Sequence, residues 1–556
     1  MRAHSILTRK GARMATAAVA VATVLGLGIA PASAAPASAA PASAAPAAMG
    51  SEWYVDPAGE VDYERSAALA YEFLDDRVDE YCSADAMCLP RSYQGGFFTT
   101  PDWDYTSSFL YDDALIVMAY AARGLPDDVR RAQSIGDALL FVQANDPMFS
   151  DGRTRASYQP ASLSVGAVEI GSAASNTGNQ AWVGMALARL FDLTGEQRYL
   201  DGALRLADWI VTNTVDTDRQ PFGYIGGQDA EGNPLTFKST EHNIDVTAFF
   251  TQLSTLTGDT VWTERAALAA GFVAAMQTDD GFLWTGTHTD GVSTNYFPIP
   301  LDPQTWSFIA TLDERYGSAL AWTVENLHAV DAPYEGPAFS NADVSKVWFE
   351  GTGQLALALR LRDAPEDAGY TRSILAAAEL AQRQAENGDG RGIVAASSDG
   401  LDTGFGDLYY SSLHTGATSW YLLALAGYNP FRLADEDATP PGTEVPPVVP
   451  GEPSVPGEPV PGEPVPVPGE PVPGDPSVPG EDPVASEPPS APPVAPGADE
   501  PSGAGASPSD SSGALLAQTG ADRPLAAVLL AGGAMLTGGA LLAGVALLRR
   551  RRAARR

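Results

Sequence analysis

The sequence predicts an all-α domain in which helices pair into six hairpins and close into a toroid. Apolar residues recur at helical spacing over about twelve segments, and the alternation typical of strands is almost absent. Two segments, 176–213 and 239–276, share one plan: a short-side-chain cap, an apolar helix, the sequence Leu-Thr-Gly and an amphipathic helix. Such a repeated plan is typical of helical arrays whose units bury their apolar faces against each other.

Weaker copies of this plan account for the remaining hairpins. Segments 111–145, 302–327 and 347–384 each hold two helical patterns. The helix in 414–427 has no partner after it, and the first long helix, about Tyr63–Tyr81, has none before it. Pairing these two gives a sixth hairpin and closes the ring, with the more apolar helix of each pair inside. An open α-solenoid is the alternative arrangement of the same helices.

Across residues 63–431 this pattern resembles the (α/α)6 six-hairpin glycosidase-like superfamily. The resemblance lies in the architecture and not in a diagnostic motif. It implies that the loops at one end of the inner ring form a funnel, where the N-terminal turns of the inner helices converge. It also implies an enzyme that acts on a glycan, most often a hydrolase that inverts the anomeric carbon.

The predicted starts of the inner helices are rich in ionisable side chains. Hydrolysis of a glycosidic bond needs a carboxylic acid to protonate the leaving oxygen and a carboxylate to activate water or to attack. Glu241 with Glu350 or Asp113 is the expected acid/base pair. The full set of candidate catalytic residues is Glu241, Glu350, Asp113, Asp112, Asp245, His242 and His414.

Each of these carboxylates also has a structural interpretation, because acidic residues in a first helical turn interact favourably with the helix dipole. Asp112 can cap its helix, and Asp302, which precedes a proline, has the pattern of an N-cap. Glu241 is not needed as a cap, since Ser239 or Thr240 can fill that position. The pattern therefore favours chemistry most strongly at Glu241.

Aromatic and basic side chains accompany the same helix starts. Two of the three lysines in the chain, Lys238 and Lys346, immediately precede candidate site helices. They either bind an acidic group of the substrate or pair with Glu241 and Glu350. Flat aromatic rings can stack on sugars, and the predicted sugar-binding residues are Trp103, Trp182, Trp306, Trp348, Trp420 and Tyr410.

Two other functions remain open on the sequence alone. A sugar epimerase or polysaccharide lyase on the same scaffold would use His242 or His414 as its base. A non-catalytic glycan-binding adhesin would keep the aromatic residues and tolerate the loss of any one carboxylate. No HExxH motif, histidine cluster or cysteine set predicts a metal site, and no cofactor is expected.

The charge of the chain argues against one class of partner, and its two cysteines predict a disulfide. The formal net charge of −36 argues against nucleic acid as a partner, because phosphate backbones bind basic surfaces. Cys82 and Cys88 are the two cysteines of the chain and lie close together in the sequence. In a secreted protein we expect them to form a disulfide around a small loop.

The N-terminal end predicts export. Residues 1–34 contain basic residues, a short apolar run and small residues, which is the pattern of a signal peptide. An Ala/Pro-rich segment, 35–50, precedes the predicted folded domain, 51–433. A Pro/Gly/Glu-rich segment, 434–515, follows it, and this composition predicts a disordered, extended stalk.

The C-terminal end predicts attachment to the cell envelope. Residues 516–556 contain an apolar run long enough to form a membrane-spanning helix and an Arg-rich tail. The run follows the motif LAQTG, formed by Leu516, Ala517, Gln518, Thr519 and Gly520. This order resembles a Gram-positive, LPXTG-like sortase signal in the variant form of high-GC actinobacteria. The resemblance implies cleavage by a sortase after Thr519 and linkage to peptidoglycan or another cell-envelope amine. A plain single-pass anchor is the alternative.

Overall fold

The computed structural model describes residues 61–82, 87–101 and 103–433. The predicted signal peptide, Ala/Pro-rich segment, stalk and sorting signal lie outside these residues. Within the described ranges, no helix is both long and apolar enough to cross a membrane.

The described part of the chain is mainly helical, with twelve long helices and one short helix. The helices are α1 (Tyr63–Asp79), α2 (Leu110–Arg123), α3 (Pro126–Ala144), α4 (Pro160–Leu163), α5 (Thr177–Thr194), α6 (Gln197–Thr214), α7 (Thr240–Thr257), α8 (Thr260–Met276), α9 (Asp302–Thr311), α10 (Gly317–Asn326), α11 (Phe349–Arg362), α12 (Asp367–Gln384) and α13 (Thr415–Ala426). Two 3-10 turns, Gly96–Phe98 and Glu314–Tyr316, complete the helical elements.

Six of these helices form a closed inner ring, in the order α2, α5, α7, α9, α11 and α13. Each packs against the next, and α13 packs back against α2. Helices α3, α6, α8, α10 and α12 each pack against the inner helix that precedes them, and α1 packs against α13. The predicted toroid of six hairpins, with the first and last long helices paired, is confirmed. Because the ring closes, the open solenoid is excluded.

Glycine residues end the inner helices of the two clearest hairpins. Helix α5 ends at Thr194 and is followed by Gly195 at φ 69°, and α7 ends at Thr257 and is followed by Gly258 at φ 68°. Glycine adopts this left-handed conformation without a steric penalty from Cβ. Each Leu-Thr-Gly sequence therefore stops an inner helix and lets the chain reverse into the outer one.

Burial separates the two rings as the sequence pattern indicates. Every residue of α5 from Thr177 to Leu190 is buried, whereas the paired outer helix α6 buries residues on one face only. A helix that is enclosed on all sides needs apolar residues all round, and a helix on the surface needs one apolar stripe.

Short strands line the loops before the inner helices. They are β1 (Tyr93–Gln94), β2 (Thr99–Thr100), β3 (Trp103–Asp104), β4 (Ser108–Phe109), β5 (Ser157–Tyr158), β6 (Ile170–Ser172), β7 (Ser175–Asn176), β8 (Val215–Asp216), β9 (Gly223–Tyr224), β10 (Gly227–Gln228), β11 (Pro234–Leu235), β12 (Gly286–Thr287), β13 (Thr294–Asn295), β14 (His328–Asp331), β15 (Tyr334–Pro337), β16 (Leu401–Asp402), β17 (Leu408–Tyr409) and β18 (Leu413–His414). Antiparallel pairing joins β1 to β18, β2 to β3, β4 to β5 to β6, β7 to β10 to β11, β8 to β9, β12 to β13, β14 to β15 and β16 to β17. At two to four residues, these strands are too short for a visible period of two.

The segment after α13 closes the centre of the toroid at the C-terminal end of the inner helices. The ring of Phe431 lies 5.0 Å from that of Trp182, 5.6 Å from that of Trp306 and 6.5 Å from that of Trp420. Near the start of the domain, a disulfide joins Cys82 to Cys88, with their Cα atoms 5.4 Å apart.

Candidate functional site

The first turns of the inner helices meet at one end of the toroid and bring acidic side chains together. Asp112 and Asp113 lie on α2, Glu241 and Asp245 on α7, and Glu350 on α11, all buried. The ring geometry explains this convergence, because parallel inner helices present their N-termini at the same end. The sequence-predicted carboxylates therefore belong to one region of the molecule.

Glu350 is held by a hydrogen-bond chain that crosses the ring. Tyr111 on α2 donates a 2.7 Å hydrogen bond to Oε1 of Glu350, and Nε1 of Trp420 on α13 donates to the Tyr111 hydroxyl at 2.8 Å. Burial raises the pKa of Glu350 well above its usual range, and the charges of Asp112 and Asp302 raise it further. The hydroxyl of Tyr111 opposes this rise, because it stabilises the carboxylate.

His414 is the N-cap of α13 and uses both ring nitrogens. Nδ1 accepts a 3.2 Å hydrogen bond from the backbone N–H of Ala417, so the proton of the neutral ring lies on Nε2. Nε2 lies 3.2 and 3.3 Å from the carboxylate oxygens of Asp112. A side chain on Gly416 would crowd this pair, since its Cβ would lie 2.6 Å from Asp112 Oδ1. Asp112 therefore orients His414 and does not cap its own helix.

The ring of Tyr93 fixes the other face of His414. The two rings are stacked with centroids 4.2 Å apart and an angle of 2° between their planes. Both nitrogens of His414 are hydrogen-bonded and one face of its ring is covered, and Nδ1 also lies 3.6 Å from Oε2 of Glu350. The role of His414 as a catalytic base stays a prediction.

Glu241, Asp245 and Asp302 form a compact acidic cluster, here called the acidic cluster, on the adjacent helices α7 and α9. Both carboxylate oxygens of Asp245 and of Asp302 are buried. Their nearest donors are side chains of the inner ring, the indole N–H of Trp182 beside Asp245 and the amide of Gln354 beside Asp302, and each opposes the rise of the pKa of its neighbour. Burial raises the pKa of Glu241 well above its usual range, and repulsion from Asp302, Asp245 and Glu350 raises it further. Burial also raises the pKa of Asp245 well above normal, and that of Asp302 to about 7.

Ser239 caps α7, as the sequence suggests it can. Its side chain accepts a hydrogen bond from the backbone N–H of His242 at 3.4 Å. Glu241 is 6% exposed, whereas Asp245 and Asp302 are fully buried. Glu241 is thus the least buried member of the acidic cluster, and it is free of a capping role.

Asp302 differs from its sequence interpretation as an N-cap. It is the first residue of α9, the N-cap position belongs to Leu301, and the Asp302 side chain makes no capping hydrogen bond. Asp302 and Tyr111 are two residues of the site that are not among the catalytic residues predicted from the sequence. The proline after Asp302 suggested a cap, and nothing in the local sequence of Tyr111 indicated that it reaches Glu350.

His242 lies beside the acidic cluster in a tightly packed position. Its ring and Oδ2 of Asp245 lie so close to Gly178 of α5 that a Cβ there would lie 2.6 Å from the ring and 2.8 Å from the carboxylate. Burial lowers the pKa of His242 to about 4, so the imidazole is neutral at physiological pH. Nδ1 of His242 has no hydrogen-bond partner among the described residues.

Asp113 is buried, and its hydrogen-bond partner is Ser108 and not a residue of the acidic cluster. The hydroxyl of Ser108 donates to it, with Oδ1 and Oδ2 at 2.8 and 2.9 Å. Burial raises the pKa of Asp113 well above normal. Because Ser108 occupies both oxygens, Asp113 fits the role of a structural anchor for the strand β4 that precedes α2, and is a weaker candidate for chemistry than Glu241.

The predicted sugar-binding tryptophans occupy the core. Trp182, Trp306 and Trp420 pack against one another at 5.4 to 6.1 Å and form the floor below the carboxylates. They are at most 1% exposed, as is Trp348, so none presents a free face to a sugar. Tyr410 is partly exposed and stacks on Phe97 at 3.9 Å. The Trp103 prediction concerns a side chain outside the described part of the chain.

The two lysines do not pair with the candidate acids. Nζ of Lys238 is buried, lies 2.9 Å from Asp216 Oδ2 and donates to the carbonyl oxygens of Arg219, Pro221 and Gly291 at 2.6, 2.8 and 3.0 Å. The expected pairing with Glu241 is wrong, because these four oxygens satisfy the ammonium.

Lys346 likewise lies apart from Glu350. Its Nζ donates to Ser345 at 3.2 Å and lies 3.8 Å from Asp343. No arginine or lysine of the described residues pairs with the acidic cluster or with Glu350. Among the same residues, no group of three His, Cys, Asp or Glu side chains has the arrangement of a metal site.

No family model matches the sequence, and no curated protein matches it. Solved structures with a similar course of the chain include a D-mannose isomerase, at 12% identity and a TM-score of 0.47, covering 66% of this chain and 98% of that one. An α-amylase from Clostridium perfringens and a glycoside hydrolase family 76 mannosidase from Bacteroides thetaiotaomicron each show 11% identity and a TM-score of 0.46, covering 65% of this chain and 98% of theirs. The closed ring of six hairpins establishes the fold independently of these scores.

Proposed function

We propose that this chain is a glycan-active enzyme, and specifically a glycoside hydrolase that uses Glu241 and Glu350. The observation that carries the proposal is the gathering of carboxyl groups from three consecutive inner helices, α7, α9 and α11, without an arginine or lysine partner. Burial and mutual repulsion raise the pKa of these groups, that of Asp302 to about 7, and acid/base cleavage of a glycosidic bond needs one protonated and one ionised carboxyl.

Glu241 is the proton donor in this proposal. Burial raises the pKa of Glu241 well above its usual range, repulsion by Asp302, Asp245 and Glu350 raises it further, and Glu241 is the least buried member of the acidic cluster. A carboxylic acid with a raised pKa is suited to protonate the leaving oxygen of a glycoside. The proton leaves Glu241 as the bond between the anomeric carbon and that oxygen breaks.

Glu350 is the carboxylate that acts on the other side of the sugar. It lies on α11, which is separated from α7 by α9, and it makes no hydrogen bond with Glu241. Tyr111 donates to Oε1 of Glu350 and, with the amide of Gln354, stabilises its ionised form, while Oε2 lies 3.6 Å from Nδ1 of His414. In this arrangement Glu350 removes a proton from water that attacks the anomeric carbon, or attacks that carbon itself. Asp302, on the helix between them, adjusts the protonation of both.

The experiment is a survey of reducing-sugar release by the full chain from mannan, xylan, cellulose, starch, β-glucan and peptidoglycan. The variant Glu241→Gln, which keeps the shape of the side chain but cannot donate a proton, should abolish release. The control Glu264→Gln changes an exposed glutamate on the outer helix α8 and should leave release unchanged. Release by Glu241→Gln at the wild-type rate would contradict the proposal.

A sugar epimerase, isomerase or lyase is the second candidate, and His242 is the observation that favours it. The ring is neutral, buried beside Asp245 and unpartnered at Nδ1, so it can accept a proton. Incubation of the full chain with free hexoses in D2O distinguishes the two functions. Deuterium incorporation that is lost in His242→Asn, without any reducing-sugar release from polymers, would favour the second candidate.

Export and wall anchoring belong to the same proposal. The basic and apolar N-terminus and the LAQTG motif with its apolar run and arginines support them. Expression in a sortase-positive actinobacterium should place the protein in the cell-wall fraction. Thr519→Ala should shift it to the membrane fraction, and a wild type that is itself found in the membrane fraction would favour the plain membrane anchor.

A further inference from the structure

Exposed aromatic side chains on the described surface occur in two segments of the chain, each of which precedes an inner helix. Twelve large apolar side chains are exposed, and nine of them are aliphatic or methionine side chains. The three aromatic ones are Phe222 (39% exposed), Tyr296 (62%) and Phe297 (59%). Phe222 lies directly before β9, in the segment before α7, and Tyr296 and Phe297 lie directly after β13, in the segment before α9.

These loops are firmly held. The ammonium of Lys238 donates to the carbonyl oxygen of Pro221, next to Phe222, and to that of Gly291, within the hairpin β12–β13. Asp290 accepts hydrogen bonds from the backbone N–H groups of Val292 and Ser293, both at 2.9 Å. Lys238 therefore joins the segment that carries Phe222 to the turn of the hairpin β12–β13, and Tyr296 and Phe297 follow directly after this hairpin.

The same loops are continuous with the acidic cluster. The backbone N–H of Thr240, next to Glu241, donates to the carbonyl oxygen of Thr285 at 2.9 Å, and the Thr240 hydroxyl donates to that of Trp284 at 2.6 Å. The ring of Trp284 then contacts that of Tyr296 edge-on, with centroids 4.9 Å apart. A path of direct contacts thus connects the start of α7 to the exposed ring of Tyr296.

We propose that Tyr296 and Phe297, with Trp284, form an aromatic platform that binds a sugar unit of a polysaccharide outside the catalytic centre. The proposal rests on the proposed function and specifies its substrate as a polymer longer than the bond-cleaving site. Exposed aromatic side chains on a rigid loop remove water from a ligand at little cost in conformational entropy. The faces of pyranose rings carry C–H groups that pack on such rings, and the platform takes the place of the tryptophans found buried in the core.

The experiment compares the full chain with Tyr296→Ala/Phe297→Ala by isothermal titration with soluble mannan, xylan and β-glucan and by retention on cellulose and chitin. The double variant should bind the retained polysaccharide about tenfold more weakly, as expected for the loss of an aromatic contact. The control Leu125→Ala removes a side chain that is 51% exposed between α2 and α3, at the other end of the toroid, and should bind as the wild type does.

Activity separates this proposal from the proposed function. The double variant should show a raised KM for the polymer and an unchanged kcat, because the changed residues do not touch the reacting bond. Equal polymer affinity of the double variant and the wild type, with Glu241→Gln still inactive, would overturn the platform and leave the hydrolase intact. Polysaccharide binding by a wild-type chain that cleaves no polymer would overturn the hydrolase and leave the platform intact. The platform would also be overturned if the wild type bound none of the polymers. The same holds if the wild type were a dimer and the double variant a monomer with unchanged polymer binding.

Discussion

The hydroxyl of Tyr111 donates a 2.7 Å hydrogen bond to Oε1 of Glu350, although the two residues are 239 positions apart in the sequence. Tyr111 belongs to α2 and Glu350 to α11, and α13, which lies between them in the ring, supplies the indole N–H of Trp420 to the same hydroxyl. The closure of the toroid therefore positions a candidate catalytic carboxylate.

Tyr111→Phe tests this positioning role. The change removes the donor that lowers the pKa of Glu350, so that pKa rises and the acidic limb of the pH profile of kcat/KM moves to higher pH. Turnover should fall by about tenfold, since a hydrogen bond to a charged group contributes about 1.5–3 kcal/mol. A purely structural role would lower the free energy of unfolding and leave the pH profile in place, which would contradict the account.

Asp302→Asn tests the protonation of the acidic cluster. The pKa of Asp302 is raised to about 7 in the folded state, whereas an unfolded aspartate titrates near 4. The folded state therefore binds more protons between these values, and the free energy of unfolding should fall as pH rises from about 4 to 7. The variant lacks this titration, so its stability should decline less and exceed that of the wild type above pH 7.

The magnitude of this difference is on the order of 2–4 kcal/mol, because one pKa unit corresponds to about 1.4 kcal/mol. Urea denaturation at a series of pH values measures it, with Asp279→Asn, a change at an exposed position, as the control. Parallel stability curves for Asp302→Asn and the wild type would show that Asp302 keeps its ordinary pKa.

Gly353→Ala tests the packing of α11 against α13. A Cβ on Gly353 would lie 2.6 Å from the carbonyl carbon of Trp420 and 2.8 Å from its oxygen, and this backbone cannot move away cheaply. The free energy of unfolding should fall by about 1–3 kcal/mol. Gly271→Ala on the outer helix α8 meets nothing within 4 Å and should stabilise the protein by about 0.5–1 kcal/mol. Equal stability of Gly353→Ala and the wild type would contradict this packing.

The fold was predictable because helix periodicity and turn chemistry agree along the chain. Leu-Thr-Gly at 193–195 and 256–258 marks both the end of an inner helix and the reversal into an outer one. The pairing of α1 with α13 followed from counting unpaired helices. The strands could not be predicted, because two-residue pairings such as Tyr93–Gln94 with Leu413–His414 depend on where the ring brings distant loops together.

The site was predictable as a region but not as a set of roles. Helix starts in an inner ring converge, so Glu241 and Glu350 could be placed near each other from the pattern alone. How deeply a side chain is buried could not be predicted from the pattern. Trp182 therefore suggested a sugar contact although it lies in the core. Lys238 suggested a partner for Glu241, yet it binds Asp216 and three carbonyl oxygens, which only the folded loops bring within reach.

The central claim is that Glu241 and Glu350 act as one acid/base pair. Its most direct test is to measure kcat/KM on the polysaccharide that the wild type cleaves, for Glu241→Gln, Glu350→Gln and the double variant. Each single variant should lose about 10²–10⁴-fold, the usual contribution of a general acid or base. The loss of kcat/KM in the double variant should be little greater than that in the less active single variant, because the effects of residues that act as a unit are not additive. A folded single variant that keeps wild-type kcat/KM would contradict the claim.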